Sequence, residues 1–329
     1  MAGLSMYCRL NPYSPKPLTK HTPSTTYHHP SSSSSFSISP SSLPKSRFIK
    51  FSTMASQSVP SEKTVNSVIV EQQRVNVKNK YGENLVGVLH ETGSTKIVIL
   101  CHGFQSSKDS RINRNLAEVL TKQGISVFRF DFSGNGESEG TFQYGNYVKE
   151  ADDLHSVVMH FVGLKRVVGA IVGHSKGGDV VLVYASKYHD VPTVVNLSGR
   201  YNMERGIAER LGKDYTERIE KDGFIDVKDK EGNVQYRVTK ESLMERLATD
   251  MHALCLLFGK DCRVMTVHGS ADEIIRVEDA FEFAKVIANH KLHIVEGADH
   301  CYTKHPTELA EVVVDYINES FQANTITLQ

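Results

Sequence analysis

Apolar and polar positions fall into a regular pattern from residue 67 onward. Residues 68–77 and 85–90 alternate, the period of a half-buried strand. The polar run Asn79-Lys80-Tyr81-Gly82-Glu83-Asn84 between them predicts a β-hairpin. Residues 96–101 form an apolar run of buried-strand length, and a helical period follows over 111–123, closed by Gly124. The alternation continues with strands at 125–130, 168–172, 193–197, 263–267 and 292–295, and helices at 147–162, 177–188, 277–289 and 306–321. Strands that alternate with helices predict a mostly parallel central sheet flanked by helices on both faces.

One segment interrupts the rhythm. Residues 200–260 carry 12 basic and 12 acidic residues. Helical periods at 200–221 and 240–257 flank a hairpin pattern at 224–238, turning at Asp229-Lys230-Glu231-Gly232-Asn233. The segment reads as a helix-hairpin insertion between two core strands, and its position makes it a lid over a pocket at the strand ends.

The first sixty residues differ from the rest. They are rich in Ser, Thr and Pro, include the run from Ser31 to Ser35, and contain basic residues but no acidic one before Glu62. This is the composition of an organelle transit peptide, plastid rather than mitochondrial, with Met54 as an internal start for a cytosolic form. The expected organisation is a leader over 1–60 and one folded domain over 61–329. The 329 residues carry 38 basic and 38 acidic side chains, so charge gives no case for nucleic acid as a partner. No apolar run is long enough for a membrane span. Five scattered cysteines without a Cys-x-x-Cys pair argue against a disulfide framework and a structural zinc site.

The chemistry concentrates at strand ends. Gly173-His174-Ser175-Lys176-Gly177 lies between an expected strand and an expected helix. That is the context of a nucleophile elbow, in which side chains at the two glycines would collide with neighbouring backbone. A serine hydroxyl needs a histidine to take its proton and an acid to orient that histidine. The strand at 263–267 runs into His268-Gly269-Ser270-Ala271-Asp272, and the strand at 292–295 into Glu296-Gly297-Ala298-Asp299-His300. Asp272 and His300 are the expected partners of Ser175, in the order Ser, Asp, His. Glu273 and Asp299 are the competing acids, and His174 and His268 are expected to make local hydrogen bonds. Oxyanion donors are expected from the backbone N–H of Lys176 and of Phe104, in the loop His102-Gly103-Phe104.

These residues carry a family resemblance. His102-Gly103-Phe104, the run from Phe130 to Ser138, Gly173-His174-Ser175, His268-Gly269 through Asp272, and the run from Glu296 to Cys301 resemble the α/β-hydrolase superfamily. Within it they are similar to the serine aminopeptidase-like and cinnamoyl (feruloyl) esterase branch. The resemblance implies the α/β-hydrolase fold, a serine carboxylic ester hydrolase working through an acyl-enzyme, a small-molecule ester substrate, and neither cofactor nor metal. It also implies a structural role for the Asp131-to-Ser138 loop. Lys176 departs from the uncharged residue common at its position. Its charge either favours an anionic acyl group or points aside to a carboxylate such as Asp179. Lid residues Tyr201, Tyr215, Phe224 and Tyr236 are expected to line a pocket for an aromatic acid. The same triad serves thioesterases, monoacylglycerol lipase-like enzymes and acyltransferases. From a different class, a small-molecule receptor on a hydrolase scaffold fits the same residues.

Overall fold

The computed structural model describes residues 70–326, so the leader expected over 1–60 lies outside the described residues. The hairpin pairs β1 (Glu71–Lys78) with β2 (Asn84–Glu91) in antiparallel register. Asn79 holds its turn by accepting from the N–H groups of Tyr81 at 3.0 Å and Glu83 at 2.9 Å. Then β3 (Lys96–Cys101), β4 (Ser126–Phe130), β5 (Val167–His174), β6 (Thr193–Leu197), β9 (Arg263–Gly269) and β10 (His290–Val295) complete an eight-stranded sheet. Its order is β1-β2-β4-β3-β5-β6-β9-β10, antiparallel at β1-β2 and β2-β4 and parallel from β4 onward.

The central strands are apolar on both sides because both faces are covered. In β3, Ile97, Ile99 and Cys101 pack on one side with residues of α2 (Tyr147–Gly163), α3 (Lys176–Tyr188) and α8 (Glu278–Val286). Val98 and Leu100 pack on the other with α1 (Arg111–Lys122) and α9 (Pro306–Ile326). The period of two within the strand thus divides the core into two layers. Ser110 caps α1 by accepting from the Asn113 N–H at 3.2 Å, and Gly124 (φ +74°) ends it.

Between β6 and β9 the chain forms α4 (Ile207–Leu211), α5 (Tyr215–Asp222), the hairpin β7 (Phe224–Lys228) and β8 (Val234–Thr239), α6 (Lys240–Ala248) and α7 (Met251–Cys255). The two continuous helices expected here are each broken. Gly206 (φ +79°) and Gly212 (φ +96°) limit α4 to one short piece. Thr249 and Asp250 are extended, and Asp250 starts α7 by accepting from the Ala253 N–H at 3.0 Å. Helical periodicity persists across such breaks because it registers burial, not backbone continuity.

Below the sheet's functional edge, α2 and α3 are tied by a buried ion pair, Lys176 Nζ to Glu150 Oε1 at 2.6 Å. The two side chains are 5% and 4% exposed. Burial pushes the Glu150 carboxyl up to about 7, with the Lys176 charge pulling against it. Among the described residues no helix is long and apolar enough to cross a membrane. Cys101, Cys255 and Cys262 are free thiols; the fourth described cysteine, Cys301, is not among the free ones.

Two stability tests follow from this packing. Leu100→Ala, at a fully buried position, is expected to cost about 2–5 kcal/mol in urea unfolding, whereas exposed Leu164→Ala stays within about 0.5 kcal/mol. Glu150→Leu leaves the Lys176 ammonium buried without its partner and is expected to cost about 3–5 kcal/mol. Adding Lys176→Met should recover most of that loss. A double variant no more stable than the single would show that the pair is not what α2 and α3 depend on.

Candidate active site

Parallel strands β3, β5, β9 and β10 release their loops at one edge of the sheet, and each loop carries a residue of interest. At the β5–α3 turn, Ser175 has φ +56° and ψ −121°, a sparsely populated conformation for a residue with a Cβ. The turn closes only because its neighbours lack side chains. A Cβ on Gly173 would lie 2.0 Å from the Gly177 carbonyl oxygen, and one on Gly177 would lie 2.5 Å from that of His102. The Ser175 N–H donates to the Leu197 carbonyl at 2.8 Å, fixing the elbow to the end of β6.

The β9 and β10 loops bring Asp272 and His300 together. His300 Nδ1 donates to Asp272 Oδ2 at 2.7 Å, which leaves His300 Nε2 as the acceptor nitrogen. Asp272 Oδ1 accepts from the N–H groups of Ile274 and Ile275 at 2.9 and 2.8 Å. Burial pushes this carboxyl up, but hydrogen bonds from His268 and His300 outweigh it and hold Asp272 well below the ordinary carboxylate range. Asp272 therefore stays ionised throughout the neutral range. The competing acids stand elsewhere: Glu273 is exposed, and Asp299 accepts from the Thr303 N–H at 2.7 Å.

His174 connects this pair to the elbow. Its Nε2 donates to the His300 carbonyl at 2.9 Å, and the two rings lie 4.9 Å apart. Burial, followed by the His300 charge, pushes His174 down to about 3, so it remains a neutral strut. His268 does more than the local bonding expected of it. Its Nε2 donates to the Ile275 carbonyl at 2.9 Å and also stands 3.3 Å from Asp272 Oδ2. Tyr302 adds a further anchor, donating to the Val267 carbonyl at 2.9 Å. The Ser175 hydroxyl makes no hydrogen bond among the described residues. Catalytic contacts of ligand-free sites are often long and tighten with substrate.

Two loops frame the expected oxyanion position. Lys176 is the first residue of α3, so its N–H has no carbonyl within that helix to donate to. The Gly103–Phe104 backbone lies against the elbow: a Cβ on Gly103 would stand 3.1 Å from the Ser175 Cβ. His102 fixes that stretch by donating from Nδ1 to the Gly103 carbonyl at 2.8 Å while Nε2 accepts from the Phe132 N–H at 3.1 Å. The Asp131-to-Ser138 loop is tied in turn through Asp131, which accepts from Lys108 Nζ at 2.7 Å and from the Glu137 N–H at 3.0 Å. This loop thus has a physical task, to hold His102 in place. The sequence signal for it was the adjacency of His102 to Gly103 and Phe104.

Beside Ser175 opens a pocket of about 360 Å³ including its mouth. Phe104, Tyr147, Lys176, Asp179, Arg200, Arg210, Arg246, Ile274 and Ile275 line it. None of the four lid aromatics expected there does. Tyr201 donates to or accepts from His252 Nδ1 and packs on Phe283, and Phe224 lies under the Arg237 guanidinium. Tyr215 and Tyr236 belong to an apolar cluster built mostly from the segment between β6 and β9, where Tyr236 meets the edge of Phe104. The Lys176 side chain points aside to a carboxylate, but to Glu150 and not Asp179. Among the described residues no group of three or more His, Cys, Asp or Glu side chains stands ready to hold a metal ion.

Comparison with known proteins adds to this geometry. The family model of the serine aminopeptidases, S33, matches residues 92–221. An uncharacterized protein of Saccharomyces cerevisiae is 26% identical over 230 residues, 63% of this chain and 69% of that protein. Among solved structures, Est1E of Butyrivibrio proteoclasticus with ferulic acid bound is similar at 23% identity and a TM-score of 0.63, over 75% of this chain and 99% of that one. The Pyrococcus furiosus esterase Pf2001 is similar at 21% identity and a TM-score of 0.59, over 79% and 95%. The α/β hydrolase GrgF of a Penicillium species is similar at 18% identity and a TM-score of 0.63, over 76% and 99%. The mostly parallel eight-stranded sheet, the serine on the turn from β5 into α3 and these likenesses show that the chain has the α/β-hydrolase fold.

Proposed function

We propose that the chain is a serine carboxylic ester hydrolase working through an acyl-enzyme on small to medium esters. The observation that carries this reading is the 2.7 Å bond from His300 Nδ1 to an ionised Asp272, with His300 held against the elbow through His174. Ser175 Oγ attacks the ester carbonyl while His300 Nε2 takes its proton. The charge that develops on the carbonyl oxygen is met by the N–H groups of Lys176 and Phe104. The tetrahedral intermediate collapses, His300 returns the proton to the leaving alkoxide, and an alcohol departs. Water, deprotonated by the same nitrogen, then releases the acid and restores Ser175. Asp272 fixes the histidine tautomer and stabilises the imidazolium in both halves.

The esterases among the similar structures support the reaction type. Aromatic acids enter the reading through Phe104 and Tyr147 at the pocket, and through the ferulic acid held by Est1E. The segment between β6 and β9 serves as the lid. The acid-free, hydroxyl-rich leader supports a plastid location, with a cytosolic form from Met54.

A panel of acetate, butyrate and cinnamate esters tests the reading. Ser175→Ala is expected to lower kcat on the order of 10⁶-fold, and Asp272→Asn about 10⁴-fold, with folding retained by circular dichroism. Turnover that survives in Ser175→Ala would remove the serine from the mechanism. Saturable binding without turnover in the folded wild type would favour a receptor on this scaffold.

A further inference from the structure

The pocket beside Ser175 is lined by three arginines and one carboxylate, Asp179, besides the Lys176 of the elbow. Arg200 enters from the end of β6, Arg210 from α4 and Arg246 from α6. Arginine keeps its charge in any protein environment, so it must find anions or hydrogen-bond acceptors. Arg246 is buried, and its guanidinium donates from Nε to the Met203 carbonyl at 2.9 Å and from Nη2 to that of Arg205 at 3.0 Å. Arg200 Nη2 donates to the Ile274 carbonyl at 3.0 Å. Among the described residues neither guanidinium forms an ion pair with a carboxylate. Arg210 stacks 4.6 Å from the Phe104 ring centre, and Arg246 stands 5.1 Å from that of Tyr144.

The acids of the surrounding elements offset this charge only in part. Glu150 of α2 is committed to Lys176. Asp279 of α8 receives Arg205 Nη1 at 2.6 Å. Asp179 of α3 lines the pocket and accepts from the Arg200 backbone N–H; burial raises its carboxyl well above the ordinary range, with the charges of Arg200 and Arg246 pulling against it, so a single carboxylate faces both guanidiniums. The remaining walls are Ile274, Ile275, Phe104 and Tyr147, mostly apolar surface. A half-enclosed space with apolar sides, guanidiniums at several points and a nucleophile at its mouth fits a short chain ending in an anion.

We propose that this pocket selects esters bearing a carboxylate a few bonds from the scissile carbonyl, the hemiesters of short dicarboxylic acids, with Arg200 and Arg246 as the specificity-determining residues. The proposal rests on the esterase reading of the same site. Carbonyl acceptors satisfy part of each guanidinium's donor set, and a substrate carboxylate supplies the missing countercharge in a site of low dielectric, where charge-assisted hydrogen bonds are strong.

The test uses matched pairs that differ only by carboxylate in place of methyl: monoethyl glutarate against ethyl valerate, and monoethyl succinate against ethyl butyrate. Hydrolysis by the full chain is followed by proton release at constant pH. The wild type is expected to favour each hemiester by about tenfold or more in kcat/KM. Arg200→Gln, which loses a single contact to a carbonyl, should bring the ratio down towards one. Arg246→Gln should act in the same direction, with circular dichroism separating loss of selectivity from loss of the lid. Calorimetric titration with glutarate, and with glutaramide as the neutral control, reads the pocket without chemistry. Ethyl valerate turned over as well as monoethyl glutarate overturns the anion pocket and leaves the esterase standing. No turnover of either ester removes the esterase, and glutarate binding that Arg200→Gln abolishes then upholds the pocket alone. Glutarate that binds no better than glutaramide sinks it.

Discussion

The strand-to-helix turn at Ser175 is the constraint on which the rest of this structure depends. A non-glycine residue at φ +56° costs on the order of 1–3 kcal/mol and persists only where its surroundings leave no alternative. Here they leave none. The backbones of residues 101–102, 173 and 177 meet closer than a Cβ on Gly173 or Gly177 would permit, and the Ser175 N–H is tied to β6. The Ser198 N–H donates to the Val267 carbonyl at 2.9 Å, so β6 is tied in turn to β9, which carries Asp272 into place. His174, itself part of the turn, holds the His300 carbonyl. The nucleophile, the base and the acid of the proposed triad therefore share one rigid frame, and the elbow's strain is absorbed by a sheet buried on both faces.

Electrostatics divide the neighbourhood into settled and unsettled charge. Asp272 is surrounded by donors and needs nothing further. Lys176 and Glu150 pair beneath the elbow, so the charge of the lysine after Ser175 is directed at a buried carboxyl and not into the pocket. Arg200 and Arg246 are different: the hydrogen-bond acceptors of their guanidiniums among the described residues are backbone carbonyls, not carboxylates. In a space partly screened from water, dipoles compensate a cation less fully than an anion does. That difference is the physical basis for assigning selectivity to the pocket rather than to Lys176.

Much of the fold was legible because its signals are local. Strand and helix periods, the hairpin turn at Asn79 and the glycines of the elbow each act over a few residues. Asp272 and His300 were legible for a related reason, since each follows a strand and strand ends converge at one edge of a parallel sheet. What escaped was detail that strand and helix periods do not register. Nothing near His268 marks it as a second partner of Asp272 beyond its spacing of four residues at a strand end. The break of the lid helices at Gly206, Gly212 and Asp250 is a backbone event within an unbroken apolar period. The lid aromatics misled for the same reason, because aromatic side chains satisfy a small domain's own core as readily as a pocket.

The lid's charges show how a site can be hidden in plain composition. Twelve bases and twelve acids lie between residues 200 and 260, and composition alone does not separate those that are solvated from those that face the pocket. Arg237 pairs with Asp226, Lys240 with Glu220 and Arg218 with Asp214, all at exposed positions where such pairs contribute little. Arg200, Arg210 and Arg246 are separated by ten and thirty-six positions in the same stretch and are indistinguishable from the others by type. Folding separates the two groups. The short helices α4 and α6 turn two of these arginines toward the end of β6, where the third begins the insertion, and so assemble a cationic wall from three places on the chain. A segment with no net charge thereby places three arginines along the pocket beside Ser175. Specificity of this kind resides in an arrangement of charge that only the folded lid creates.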